Sequence, residues 1–168
     1  MPDFWVVARR LLAAVEESAA TLGFDLPARR YVTPGVSGGE AWDCEQVVVG
    51  AVSVNPGIAS AAAGQLGALM RVPAGGVVIA DITLRVEIVR DVPVMEDDGN
   101  PPDADDITNA AEAAFKDLAV LRDVVVRIQR DALLTDGVRA TMLVSAITPT
   151  GPQGGLAGVA LQIAVDVL

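Results

Sequence analysis

Histidine is absent from this chain of 168 residues, and with it the commonest general base and the commonest nitrogen ligand for metals. Cysteine occurs once, at Cys44. That excludes an intrachain disulfide and any multi-cysteine zinc site, and a reducing compartment is the simpler expectation. Aromatic residues make up only 4%, too few to furnish a stacking platform for sugars. Positive charge is scarce as well: 12 Lys and Arg stand against 22 Asp and Glu, for a formal net charge of −10. A balance of that sign argues against a protein that grips nucleic acid or an anionic membrane through a basic face. No apolar run approaches the roughly 20 residues of a spanning helix. Near the N-terminus, Arg9 and Arg10 interrupt the apolar residues and Glu16 and Glu17 follow them, which fits an amphipathic helix of the mature protein better than a signal peptide.

What is present is apolar: 52% of residues, with 20% charged, enough to bury the core of one domain over residues 1–168. The spacing of Phe4, Val7, Leu11, Leu12, Val15, Ala19 and Leu22 predicts a helix from Asp3 to Leu22, stopped by Gly23. The proline- and glycine-bearing stretch from Phe24 to Trp42 reads as a loop or short edge strand. Glu45 to Asn55 reads as a strand apolar on both faces, hence covered on both sides. Ile58 to Gly76 is rich in alanine and glycine and reads either as a short helix over Ala59–Leu69 or as a connection. Val77 to Val94 reads as a long strand region in which Ile82, Leu84, Val86 and Ile88 alternate with Asp81, Thr83, Arg85 and Glu87, the pattern of a sheet with one wet face.

An acidic turn from Glu96 to Asp106 leads into a helix running to about Ala132, with Asp103 at the N-cap. Its expected buried stripe is Ile107, Ala111, Ala114, Phe115, Leu118, Leu121, Val125 and Ile128. Arg139–Thr148 and Leu156–Leu168 complete the chain as a terminal hairpin joined across Thr150–Gly155. The order helix, strand, strand, helix, strand, strand is an α+β layer: a mainly antiparallel sheet carrying two helices.

None of these segments offers an active site. The acids between Glu96 and Asp106 are oxygen ligands of the kind calcium takes, but their spacing is not that of an EF-hand loop and two prolines restrict their convergence; a solvated turn and helix cap is the simpler reading. Paired-carboxylate chemistry lacks a substrate groove. Cys44 lacks a base and sits between Asp43 and Glu45, which disfavour a thiolate. The glycines at 35, 38 and 39 and at 151, 154 and 155 match no phosphate-binding fingerprint. No catalytic, cofactor or metal residues are assigned, and no cofactor is expected.

Two turns carry a resemblance. Thr148-Pro149-Thr150-Gly151-Pro152-Gln153-Gly154-Gly155 before the last strand, and Val94-Met95-Glu96-Asp97-Asp98-Gly99-Asn100-Pro101-Pro102 before a long alanine-rich helix, resemble the tail terminator or head-to-tail connector proteins of long-tailed actinobacterial phages. So does the N-terminal helix followed by Trp42-Asp43-Cys44 and a valine-rich strand. The resemblance covers residues 4–22, 42–55, 80–131 and 139–168, and departs from the family in Ile58–Gly76.

That resemblance implies a fold like the phage lambda tail terminator: a small α+β subunit of a hexameric ring that caps the tail tube, stops its growth and docks onto the neck. The implied partners are further copies of the chain, the major tail tube protein and a stopper or adaptor of the neck. DNA passes the channel without specific binding, no membrane is involved, and the protein resides in the virion after assembly in the host cytoplasm. Pro149, Gly151, Pro152, Gln153, Gly154 and Gly155 are the candidate subunit or tube contacts, through exposed strand edges. Asp81, Glu87, Glu96, Asp97 and Asp98 are candidates to line an acidic channel that repels phosphate; the plainer reading is that the acidity keeps the subunit soluble. The rivals are another neck component, stopper or adaptor, and a small-ligand-binding domain or enzyme.

Overall fold

The computed structural model describes residues 4–35, 44–56, 79–95, 99–131, 134 and 142–166. The elements are α1 (Phe4–Leu22), β1 (Arg29–Thr33), β2 (Gln46–Pro56), β3 (Ile79–Asp91), α2 (Ala104–Asp131), β4 (Met142–Val144), β5 (Thr148–Gln153) and β6 (Leu156–Asp166). The class is α+β with two helices, as expected, but each expected pair of strands is a set of three. The reading of Ile58–Gly76, Trp42, and the carboxylates Glu96, Asp97 and Asp98 lie outside the described residues.

Six strands form one sheet in the order β1-β2-β3-β6-β4, with β5 also on β6. The short β1 runs parallel to β2; every other pairing is antiparallel. β3 pairs with β6 along its length, from Asp81 opposite Asp166 to Asp91 opposite Leu156. The other edge of β6 is shared: β4 takes Ile163–Val165, and β5 takes Leu156–Ala160. The Ser145 amide donates to the Gln162 carbonyl at 2.9 Å between them, so β4 and β5 act as one interrupted edge strand. The expected Thr150–Gly155 connection closes up to a two-residue turn, Gly154-Gly155, with φ of 59° and 81°. Both positions lie in the left-handed region that a twisted hairpin turn requires and that glycine enters without cost.

The core lies between one face of the sheet and both helices. Val47 and Val49 of β2, Ile82, Leu84, Val86 and Ile88 of β3, and Val159, Leu161, Ile163 and Val165 of β6 meet Val7, Leu11 and Val15 of α1 and Val120, Leu121, Val124 and Ile128 of α2. The period-two alternation thus selects the core face of β3 and β6 correctly. At about 0.8 kcal/mol per buried CH₂ these branched side chains dominate the favourable side of folding.

The opposite face corrects an expectation. Glu87, placed on a wet face and proposed to line a channel, is 2% exposed, and Val89 beside it is fully buried. Its carboxylate is held by Arg85, whose Nε donates to Oε1 at 2.9 Å and whose Nη2 reaches the same oxygen. A carboxylate withdrawn from water and neutralised by its own strand does not present charge to passing DNA, so that part of the channel assignment is withdrawn. On the neighbouring strands Gln46 and Val48 are buried too, and Tyr31 donates its hydroxyl hydrogen to Gln46 Oε1 at 3.0 Å. Alternation reports two faces; it does not report what covers the second one.

Candidate interaction site

α2 begins as the sequence says it should: the Asp105 amide donates to Asp103 Oδ1 at 2.8 Å, an N-cap bond. Its burial differs from expectation. The buried residues are Asp117, Val120, Leu121, Val124 and Ile128, with Leu118 and Val125 partly buried against the core, so the expected stripe holds from Leu118 to Ile128 and the packed face is wider than expected, taking in 117, 120 and 124 as well. Three members of the expected stripe are in water: Ala111 is exposed, Ile107 is 52% exposed and Phe115 is 70% exposed. The C-terminal half of α2 packs on β6 and α1, and the N-terminal half carries an apolar stripe away from the core.

The pivot between the halves is a salt bridge on the packed face. Arg90, near the end of β3, grips Asp117 with two hydrogen bonds, Nε to Oδ2 at 2.6 Å and Nη2 to Oδ1 at 2.8 Å, and Nη2 also donates to the Asp25 carbonyl at 2.7 Å. This joins the sheet, α2 and the chain leaving α1 at one point. Burial pushes the Asp117 carboxyl up, against the pull of Arg90, and the hydrogen bonds to Asp117 hold the Arg90 guanidinium above its ordinary range. Reading the sequence did not single out either residue. The available signal is that Asp117 falls between Ala114 and Leu121 at helical spacing, where a carboxylate demands a partner.

Above this pair, the N-terminal half of α2 and the β5–β6 hairpin enclose an apolar groove of about 310 Å³. Ala110, Ala111 and Ala114 form one wall, Phe115 the rim, and Pro149, Thr150 and Gly151 the other wall, with Gly158 and Val159 behind. The three alanines leave the depression because their side chains end at Cβ. Gly158 is required by the close approach of β3, since a Cβ there would run into the Ile88 carbonyl oxygen. Thr150 Oγ1 is buried without a hydrogen-bond partner.

Of the candidate contact residues, Pro149 and Gly151 line this groove and Pro152 and Gly154 are exposed beside it. Gly155 lies in the turn, where its carbonyl accepts from the Val92 amide at 2.8 Å. Gln153 closes the β5 pairing opposite Leu156. β5 is an edge strand, pairing with β6 alone, and two of its six residues are prolines, which leave that edge fewer N–H donors for strand addition. Of the candidate channel residues, Asp81 lies at the far end of β3, opposite Asp166 and Asn55, and is not brought together with Glu87.

Chemically the arrangement can hold an apolar side chain. Its charged floor is internally paired, and among the described residues no group of three or more His, Cys, Asp or Glu could hold a metal ion. Cys44 accepts a hydrogen bond from Arg29 Nη1 at 3.1 Å and does not line the groove. Among the described residues no helix is long and apolar enough to cross a membrane. Compared with the models of known protein families the chain matches none, and no curated protein is significantly similar to it.

Proposed function

We propose that this chain is a structural subunit of a long-tailed phage virion, a tail terminator that assembles as a homohexameric ring at the head-proximal end of the tail. The ring occupies the growing face of the tube, leaves the next ring of tube protein no partner, and presents a surface to the stopper or adaptor of the neck. DNA passes through it without specific binding. The work is recognition and steric capping, without catalysis or cofactor.

One observation supports the reading above the rest. Of the two segments that resemble the family, the start of the first lies against the end of the second: the Val92 amide, two residues before it, is hydrogen-bonded to the Gly155 carbonyl, and Val94 Cγ1 lies 3.5 Å from the position a Gly155 Cβ would take. Beside that junction Val94 and Met95 are exposed, at 54% and 66%, and the apolar first half of α2 follows. Motifs that are distant in the chain and adjacent in the fold, next to apolar surface, suit an assembly contact.

The test is tube growth. Tube protein of the same phage, polymerised with and without this chain, is expected to give tubes arrested at the length reached when the chain is added. Unchanged elongation together with binding to portal or adaptor complexes assigns the chain to the neck as a stopper or adaptor. A stoichiometric small apolar ligand carried through purification, with neither binding activity, assigns the groove to a ligand instead.

A further inference from the structure

The helix that walls the apolar groove continues past the groove's last lining residue. On the α2 side the lining runs from Leu118 and Asp117 back to Ala110, and the helix goes on to its start at Ala104. Asp106 stands four residues before Ala110 and Asp103 seven, a spacing that keeps side chains on one helix face. The alanine row therefore leads directly onto carboxylates. Asp103 is the N-cap and accepts from the Asp105 amide. Asp106 is exposed, and its carboxylate has no ion pair or hydrogen bond among the described residues.

The charge at this end is one-sided. Between Arg90 and Lys116 the sequence carries eight Asp or Glu and neither Lys nor Arg. The two flanking cations are already paired, Lys116 with Glu112 at 2.7 Å and Arg90 with Asp117 at 2.6 Å. The walls, by contrast, are apolar: three alanines with Phe115 at the rim and Pro149 opposite enclose about 310 Å³, room for one large apolar side chain. A cleft that is apolar along its length and ends in an unpaired carboxylate is complementary to an apolar side chain accompanied by a positive charge.

We propose that the groove takes an extended segment of a partner protein, seating one large apolar side chain between α2 and the β5–β6 hairpin and setting a Lys or Arg of the same segment against Asp106. The spacing follows from the helix. At about 1.5 Å per residue, Asp106 lies roughly 6 Å along α2 from Ala110 and roughly 12 Å from Ala114. About two to four residues of extended chain span that distance, at about 3.3 Å each. The apolar anchor supplies most of the affinity; the charge sets the direction of the segment and rejects acidic competitors. The inference rests on the reading above in one respect, that the partner is a protein of the tail or neck.

The test is titration of the isotopically labelled full chain with the peptide acetyl-Lys-Gly-Gly-Phe-Gly-amide to about 5 mM, enough to register a dissociation constant of about 1 mM, followed by amide NMR. The amides of Ala110, Ala114, Gly151 and Val159 are expected to shift. Replacing the peptide's Lys by Glu is expected to weaken binding by about 3-fold or more, and replacing its Phe by Ala to abolish binding. Asp106→Lys should erase the preference for the Lys peptide over the Glu peptide. Ala114→Leu fills the cleft and should weaken binding by roughly 10-fold or more, with amides away from the groove unchanged, which shows the variant folded. A peptide that shifts no groove amide, Lys and Glu peptides that bind alike, or an Ala114→Leu variant that binds as the wild type does overturns the inference. Binding at the groove without arrest of tube growth leaves this contact standing and sinks the terminator reading. Tube growth arrested equally by the wild type and by Ala114→Leu does the reverse.

Discussion

The two halves of α2 are made of similar residues and do opposite things. From Asp117 to Asp131 the helix buries Val120, Leu121, Val124 and Ile128 against the sheet and α1. From Ala104 to Lys116 it leaves Ile107 and Phe115 in water and keeps its polar flanks acidic. An amphipathic stripe says that a face will be covered; it does not say by what. The first half is covered by nothing in the chain's described residues, and an apolar stripe rimmed by charge is what a contact for another molecule requires.

The comparison breaks most readily at the pivot. Asp117→Ala leaves the Arg90 guanidinium half-buried without its carboxylate, and is expected to cost about 3–5 kcal/mol of folding stability in urea titrations. A loss under about 1 kcal/mol would mean that the pair does not hold α2 in place. Next comes the packed half itself. Leu121→Ala is expected to cost about 2–5 kcal/mol by the lost burial and the cavity, whereas Phe115→Ala in the exposed half should stay within about 0.5 kcal/mol and weaken assembly instead. Equal costs for the two would erase the distinction between the halves.

Gly158 sharpens the account of the groove. Gly158→Ala drives a Cβ against the Ile88 carbonyl and is expected to cost about 1–3 kcal/mol as β3 and β6 are forced apart, with loss of amide protection in both strands. The smallest effect is electrostatic. Arg127, hydrogen-bonded to Asp123 at 2.6 Å, holds that carboxyl below the ordinary 3.8 of aspartate. A depressed carboxyl stabilises the fold above its unfolded value, and the contribution is lost as pH falls below about 4 through the folded value. Asp123→Asn should therefore flatten the acid limb of a stability–pH curve by a few tenths of a kcal/mol, since the pair is partly exposed. An unchanged acid limb would show that the pair contributes nothing.

Much of the fold was legible in the sequence. The alternation in β3 and β6 identified the core face, Asp103 marked the start of α2, and the glycines near 154 marked the hairpin. What escaped has physical causes. The apolar residues of α2 span more than one face, so sequence spacing found Leu118, Leu121, Val125 and Ile128 on the packed face but missed Val120 and Val124 beside them. Charges alternating along β3 looked solvated because Arg85 and Glu87 neutralise one another two residues apart, a pairing that pattern alone reads as two wet residues. β1 pairs in parallel with a strand that follows it at a distance, and five residues with two arginines carry no signal of direction. Of the site, the hairpin wall was legible from Pro149 and Gly151; the opposite wall was read as core, and Arg90 and Asp117 were passed over because their partnership exists only in the fold.

The most direct measurement is to see where the chain sits on its own phage's tail tubes, by electron microscopy of tubes decorated with a gold-labelled protein. The account predicts label at one end of each tube, in ring-shaped density and not along the wall. Label spread along the tube, or tubes with bare ends in the presence of excess protein, would contradict it.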